Sequence, residues 1–163
     1  MPRIRVLVVD DHRFIRDALT DLFMAADGIE VVGQCADGCE VAEAVERTRP
    51  DVVLMDLQMP TVDGLSAACA VLATHPEIRI VFLTGGLTPR SAREARSIGA
   101  AGYLLKDDDP GELPGHVRTV AAGGSAWHPR AAALLEDEAE PTANSPVLTA
   151  TSTYVDECPQ RLR

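Results

Sequence analysis

The sequence predicts an α/β protein with a doubly wound parallel sheet, and three observations predict it. Short, almost wholly apolar runs alternate with segments whose apolar residues recur at helical spacing, five times between Ile4 and Ala122. The apolar runs end in polar or charged residues, as strands do when they deliver side chains to a crevice. Aromatic residues make up only 4% of the 163 residues against 46% hydrophobic overall, so the core must be aliphatic.

Ile4 to Val9 reads as a first strand buried on both faces, ending in Asp10-Asp11. Phe14, Ile15, Ala18, Leu19, Leu22 and Phe23 follow at helical spacing, with Arg13, Arg16, Asp17 and Asp21 on the other face, until Asp27-Gly28 breaks the helix. The cycle repeats with a strand over Ile29 to Ala36, a helix over Glu40 to Arg47 and a wholly apolar strand, Val52 to Met55, ending at Asp56. Pro50 stops the helix before that strand. A helix from about Leu65 to Thr74, a strand over Ile78 to Thr84, a helix over Ser91 to Ile98 and a short strand over Gly102 to Leu105 lead to Lys106. A last helix, about Glu112 to Ala122, closes the domain.

Short links between alternating strands and helices force right-handed crossovers and parallel pairing. The expected architecture is therefore a flavodoxin-like (βα)5 sheet with helices on both faces and strand order 2-1-3-4-5. Ligands of such sheets sit outside the carboxyl ends of the strands, where this chain carries Asp10, Asp11, Asp56, Thr84 and Lys106.

Composition narrows the classes of function. A formal net charge of -10 argues against a surface built to neutralise phosphates on DNA or an anionic membrane. No apolar run approaches the length of a signal-peptide core or a membrane span, which predicts a cytoplasmic protein. The cysteines Cys35, Cys39, Cys69 and Cys158 form no CxxC pair and no zinc spacing with the histidines, so they read as small thiols.

Three carboxylates converging on one crevice repel one another unless a cation sits among them, which implies a divalent metal, with Mg2+ the best fit to oxygen ligands and retained waters. Asp56 ends the most apolar strand and precedes Leu57-Gln58-Met59-Pro60, so it is the natural nucleophile. Lys106, the only lysine, supplies a compact positive charge and Thr84 a hydroxyl, and phosphoryl transfer asks for little more. Gly85 and Gly86 leave the backbone uncrowded where a donor must approach.

Val8-Val9-Asp10-Asp11, Asp56-Leu57-Gln58-Met59-Pro60 with Asp63-Gly64, Thr84 and Gly102-Tyr103-Leu104-Leu105-Lys106-Asp107 resemble the bacterial two-component response-regulator receiver family, over residues 4 to about 123. The resemblance implies that Asp56 accepts a phosphoryl group from a sensor histidine kinase, and that Asp10, Asp11, Asp56 and the Gln58 backbone carbonyl hold Mg2+. Thr84 and Lys106 would bind the phosphoryl group, and Tyr103 would be the switch aromatic that turns inward. It further implies a homodimer through helix four, strand five and helix five. Each signal alone has a plainer explanation, since Asp11 could cap the first helix and Tyr103 could be simple core packing. His12 is assigned no role.

An aspartyl-phosphate phosphatase would want a second acid two residues after the nucleophile, where this chain has Gln58. A switch with at most slow self-dephosphorylation is the expectation, not a turnover enzyme. Three segments are expected: a receiver domain over 1–123, a helical extension over 124–140 and a flexible Thr/Ser/Pro-rich tail over 141–163. Gly-Gly-Ser-Ala-Trp-His-Pro-Arg at 123–130 resembles receivers fused to a helix-turn-helix output domain of the transcription-regulator type. Residues 124–163 hold six acids against three arginines, so no direct DNA binding is expected from this chain. A stand-alone switch and a truncated or frameshifted DNA-binding regulator both remain open.

Overall fold

The structure is a computed structural model in which residues 2–137 are described. The expected tail, 141–163, and the last residues of the expected extension lie outside them. The described chain runs β1 (Ile4–Val9), α1 (Arg13–Met24), β2 (Ile29–Cys35), a 3-10 turn (Gly38–Glu40), α2 (Val41–Thr48), β3 (Val52–Met55), α3 (Gly64–Thr74) and β4 (Arg79–Thr84). There follow α4 (Pro89–Ser97), β5 (Gly102–Leu105), a second 3-10 turn (Pro110–Glu112), α5 (Leu113–Ala121), β6 (Ala126–Trp127) and α6 (Pro129–Glu136). Strand ends fall within one residue of the sequence expectation.

All pairings are parallel, in the order β2-β1-β3-β4-β5-β6, so the predicted order holds and is extended by one strand. Alternate residues of each strand feed two cores. Leu7, Val9, Val53, Met55, Ile80, Phe82 and Tyr103 pack under α2, α3, α4 and Ala131 of α6. Val6, Val8, Val52, Leu54, Val81, Leu83 and Leu104 pack under Leu19 and Phe23 of α1 and Val117 and Val120 of α5. Phe23, Phe82 and Tyr103 are the largest side chains lost entirely from solvent, each removing apolar surface worth roughly 2–3 kcal/mol.

The sixth strand lies in a segment expected to be helical. It is only two residues long and flanked by Gly124 and Pro129, too short to show a period of two in the sequence. Tertiary contact makes it: Trp127 pairs with Tyr103, Ala126 with Gly102, and the His128 N–H donates to the Tyr103 carbonyl at 2.8 Å. Gly102 permits this approach, because a Cβ there would overlap the Ala126 carbonyl oxygen. No described helix is long and apolar enough to cross a membrane.

Candidate functional site

Register brings the polar strand ends together. Val9 pairs with Met55, so Asp10 and Asp56 emerge side by side from β1 and β3, and the Asp56 N–H donates to the Val9 carbonyl at 2.9 Å. Thr84 pairs with Leu105, and the Lys106 N–H donates to the Thr84 carbonyl at 2.8 Å. The Lys106 ammonium then bridges the two acids, with Nζ 2.6 Å from Asp10 Oδ2 and 3.1 Å from Asp56 Oδ2. Asp11, Asp56, Gln58, Thr84, Gly86 and Lys106 line a cleft of about 480 Å3, ample for a phosphoryl group with a hydrated cation.

Charge and burial oppose each other here. Asp10 is 2% exposed and Asp56 5%. Burial pushes the Asp56 carboxyl up, Lys106 pulls it back, and the neighbouring Asp10 charge adds to the rise, leaving it above its ordinary value. Burial alone would lower the Lys106 ammonium, but the Asp10 and Asp56 carboxylates outweigh it and hold it above the usual lysine range. One ammonium among three carboxylates leaves the cluster short of positive charge.

That shortage fits a divalent cation. Ligand atoms of Asp10, Asp11, His12 and Asp56 all lie within 4.8 Å of one another. The Asp11 Oδ1 atom is buried without a donor in hydrogen-bonding geometry, although His12 Nδ1 stands 3.0 Å from it. Nor does Asp11 cap α1: the N-cap is His12, with no side-chain cap bond, so the plainer reading of Asp11 fails. A buried carboxylate oxygen without a proton or donor costs several kcal/mol, about what a cation would relieve. Three carboxylates among those four groups, with room for water, suit Mg2+ better than zinc.

The loop after β3 is braced from a neighbouring loop. Asp37 accepts from the Thr61 N–H at 2.8 Å, the Val62 N–H at 3.0 Å and the Cys39 N–H at 3.1 Å. Burial pushes the Asp37 carboxyl up, but these backbone donors outweigh it and hold it below the usual carboxylate value. Gly64 closes the loop: its N–H donates to the Leu57 carbonyl at 2.9 Å, and a Cβ there would overlap the Asp56 carbonyl oxygen. Asp63 caps α3 through the Ser66 N–H at 2.7 Å.

The loop after β4 is held differently. The Thr84 hydroxyl, in the cleft wall, donates to the Gly86 carbonyl at 3.3 Å and accepts from the Gly86 N–H at the same distance. The Tyr103 hydroxyl also donates to the Gly86 carbonyl, at 3.1 Å, and lies 2.8 Å from Ser91 Oγ. Tyr103 is wholly buried. The ring stands inward in this structure, stacked on Trp127 of β6, whose strand pairs along the β5 edge.

Asp10, Asp11, Asp56, Thr84 and Lys106 therefore converge, Gln58 lines the same cleft, and Tyr103 stands one shell behind. Asp37 is not singled out by the sequence, and His12 and Trp127 are given no role at the site there. Asp37-Gly38 before a helix carries a capping signal, with Glu40 accepting from the Ala36 and Asp37 N–H groups at 2.7 and 2.9 Å, but its reach to Thr61 is a tertiary fact.

A model of the response regulator receiver domain family matches residues 6–118. The response regulator GacA of Pseudomonas viridiflava is 39% identical over 132 residues, covering 81% of this chain and 62% of that protein. The DNA-binding transcriptional activator DevR/DosR of Mycobacterium tuberculosis is 35% identical, covering 81% and 61%. Among solved structures, a LuxR-family two-component response regulator from Aurantimonas sp. SI85-9A1 superposes with a TM-score of 0.78 at 32% identity, covering 83% of this chain and 97% of that one. The chain spans less than two thirds of the length of either curated relative. It belongs to the response regulator receiver domain family and carries the receiver of a two-component response regulator.

Proposed function

We propose that this chain is a phosphorylation switch that takes a phosphoryl group from a phosphohistidine of a sensor histidine kinase onto Asp56. The observation that carries this reading is the Lys106 ammonium bridging Asp10 and Asp56 beside the donorless Asp11 oxygen. An Asp56 carboxylate oxygen attacks phosphorus, the P–N bond of the donor breaks, and its imidazole leaves and takes a proton from solvent. Lys106 then exchanges an Asp56 oxygen for a phosphoryl oxygen, and the Thr84 hydroxyl turns from Gly86 to donate to another. Bound by Asp10, Asp11, Asp56 and the Gln58 carbonyl, Mg2+ would neutralise charge on the phosphoryl oxygens.

A protein donor is favoured by the surface beside the cleft. Phe14 is 92% exposed and opens an apolar groove of about 390 Å3 between α1 and α5, whose walls include Ile15, Leu22, Leu104 and Leu113. Ile15 and Lys106 border both groove and cleft. A homodimer through α4, β5 and α5 would have to form over β6 and α6, which cover the β5 edge and pack on α4.

On this reading residues 1–123 are the cytoplasmic switch, 124–140 its extension and 141–163 its tail. A second reading, that the chain is the receiver part of a DNA-binding regulator, is favoured by how much longer its relatives are. An open frame continuing past Arg163 into a basic helical segment would support it; a stop there would support a stand-alone switch.

Acetyl phosphate with and without Mg2+, on the parent and Asp56→Asn, followed by intact mass, tests the switch. A Mg2+-dependent gain of one phosphoryl mass, absent in Asp56→Asn, is expected. No gain in the parent would overturn the reading.

A further inference from the structure

The Gly86 carbonyl is a junction. It accepts from the Thr84 hydroxyl, which borders the cleft, and from the Tyr103 hydroxyl, which belongs to the core under α4. Tyr103 in turn stacks on Trp127, with ring centroids 6.3 Å apart and planes 15° from parallel. Trp127 is tied to the sheet by strand pairing and by the next residue: His128 donates its N–H to the Tyr103 carbonyl, and its Nε2 lies 3.4 Å from Asp108 Oδ2 on the loop after Lys106. From there the chain enters α6, whose Ala131 is wholly buried and whose Leu135 packs with Trp127 and the alanines of α4 in one cluster. Every step from Thr84 to α6 is thus a hydrogen bond or a packed contact.

We infer that β6 and α6 are the lever through which phosphorylation of Asp56 leaves the sheet, with Trp127 coupling Tyr103 to the chain that follows α6. This rests on the switch proposed above. When the Thr84 hydroxyl turns to the phosphoryl group, Gly86 loses one of its two hydroxyl donors and keeps that of Tyr103. The loop, the Tyr103 ring and the Trp127 ring then settle together into a second arrangement, and α6 moves on α4. Packed rings favour discrete arrangements over continuous drift, so a small displacement at Gly86 is passed on. The partner of the Tyr103 ring is thus a tryptophan on β6, the strand that pairs along the β5 edge and leads into α6.

The chain contains one tryptophan, so its emission reports this one place. The full chain is treated with Mg2+ and acetyl phosphate while intact mass gives the phosphorylated fraction, Trp127 emission is recorded, and hydrogen exchange is followed over residues 126–136. Emission and α6 exchange should change in proportion to the phosphorylated fraction and stay constant in Asp56→Asn. Tyr103→Phe, compared at equal phosphorylated fraction, should lose most of the change; should it not reach that fraction, Trp127→Ala, followed by hydrogen exchange alone, serves in its place, and α6 exchange should then no longer follow the phosphorylated fraction. Phosphorylation seen by mass with emission and exchange unmoved would overturn the lever and leave the switch standing. A full emission change in the variant would overturn the route through Gly86, and no phosphoryl gain in the parent would overturn both.

Discussion

The two loops that flank the cleft are built on opposite principles. The loop after β3, which follows Asp56, is held by two of its backbone N–H groups, of Thr61 and Val62, on one carboxylate, Asp37, and by Gly38 and Gly64, where any Cβ would overlap a backbone carbonyl oxygen. The loop after β4, which follows Thr84, is held at Gly86 by three hydrogen bonds of 3.1–3.3 Å to the Thr84 and Tyr103 hydroxyls and contains Gly85 and Gly86, around whose Cβ positions nothing lies within 4 Å. Under the function proposed above, the first loop would fix the acceptor and the second would have room to rearrange around what the acceptor receives. A switch needs both, since an alignment that moved would lose transfer rate and a reader that could not move would carry no signal.

Gly64→Ala should break the contrast most strongly. With the Asp56 backbone in the way and no flexible side chain to yield, a loss of about 3–5 kcal/mol is expected in urea unfolding, with phosphorylation lost. A variant within about 0.5 kcal/mol of the parent would mean the loop is not as tightly set as described.

Asp37→Ala should cost about 2 kcal/mol, because three backbone donors lose a charged acceptor in a half-buried position. It should also weaken Mg2+ binding by calorimetry, with Asp37→Asn intermediate. The folded Asp37 carboxyl lies below its ordinary value, so its stabilisation is present above the unfolded carboxyl pKa of about 3.9 and is lost as pH falls through the lower folded value. The acid limb of the stability curve should therefore flatten in Asp37→Ala.

Gly86→Ala should do the reverse of Gly64→Ala. Its backbone lies outside the left-handed region and its Cβ meets open space, so stability should hold or rise by about 0.4–1 kcal/mol through the unfolded state. A large loss there would erase the distinction between the loops. The smallest effect is chemical: Cys35, buried at the end of β2 with its thiol pushed up to about 12, should alkylate last among the thiols of the described residues at pH 8, and faster once Asp37→Ala loosens the loop beside it.

Much of this was legible in the sequence because it is written in short-range patterns. Wholly apolar runs such as Val6 to Val9 and Val52 to Met55 can only be strands buried on both faces, and their alternation with amphipathic segments leaves few topologies. Asp10, Asp56, Thr84 and Lys106 were visible because each directly follows or ends such a run. Asp37 was not, since a carboxylate before a helix has a sufficient local explanation as a cap. β6 was invisible for a different reason: two residues have no periodicity.

By itself, then, the sequence determined the fold class, the strand order and the set of polar groups at the carboxyl edge, because burial and chirality leave a chain of this pattern little choice. Tertiary structure decided how those groups meet. Register between β1 and β3 and between β4 and β5 set Asp10, Asp56 and Lys106 within ion-pair distance. It also decided that Asp37 braces a loop 24 residues away and that Trp127 closes the sheet over Tyr103. Such contacts depend on where separate segments come to rest, and that is fixed only when the whole core packs.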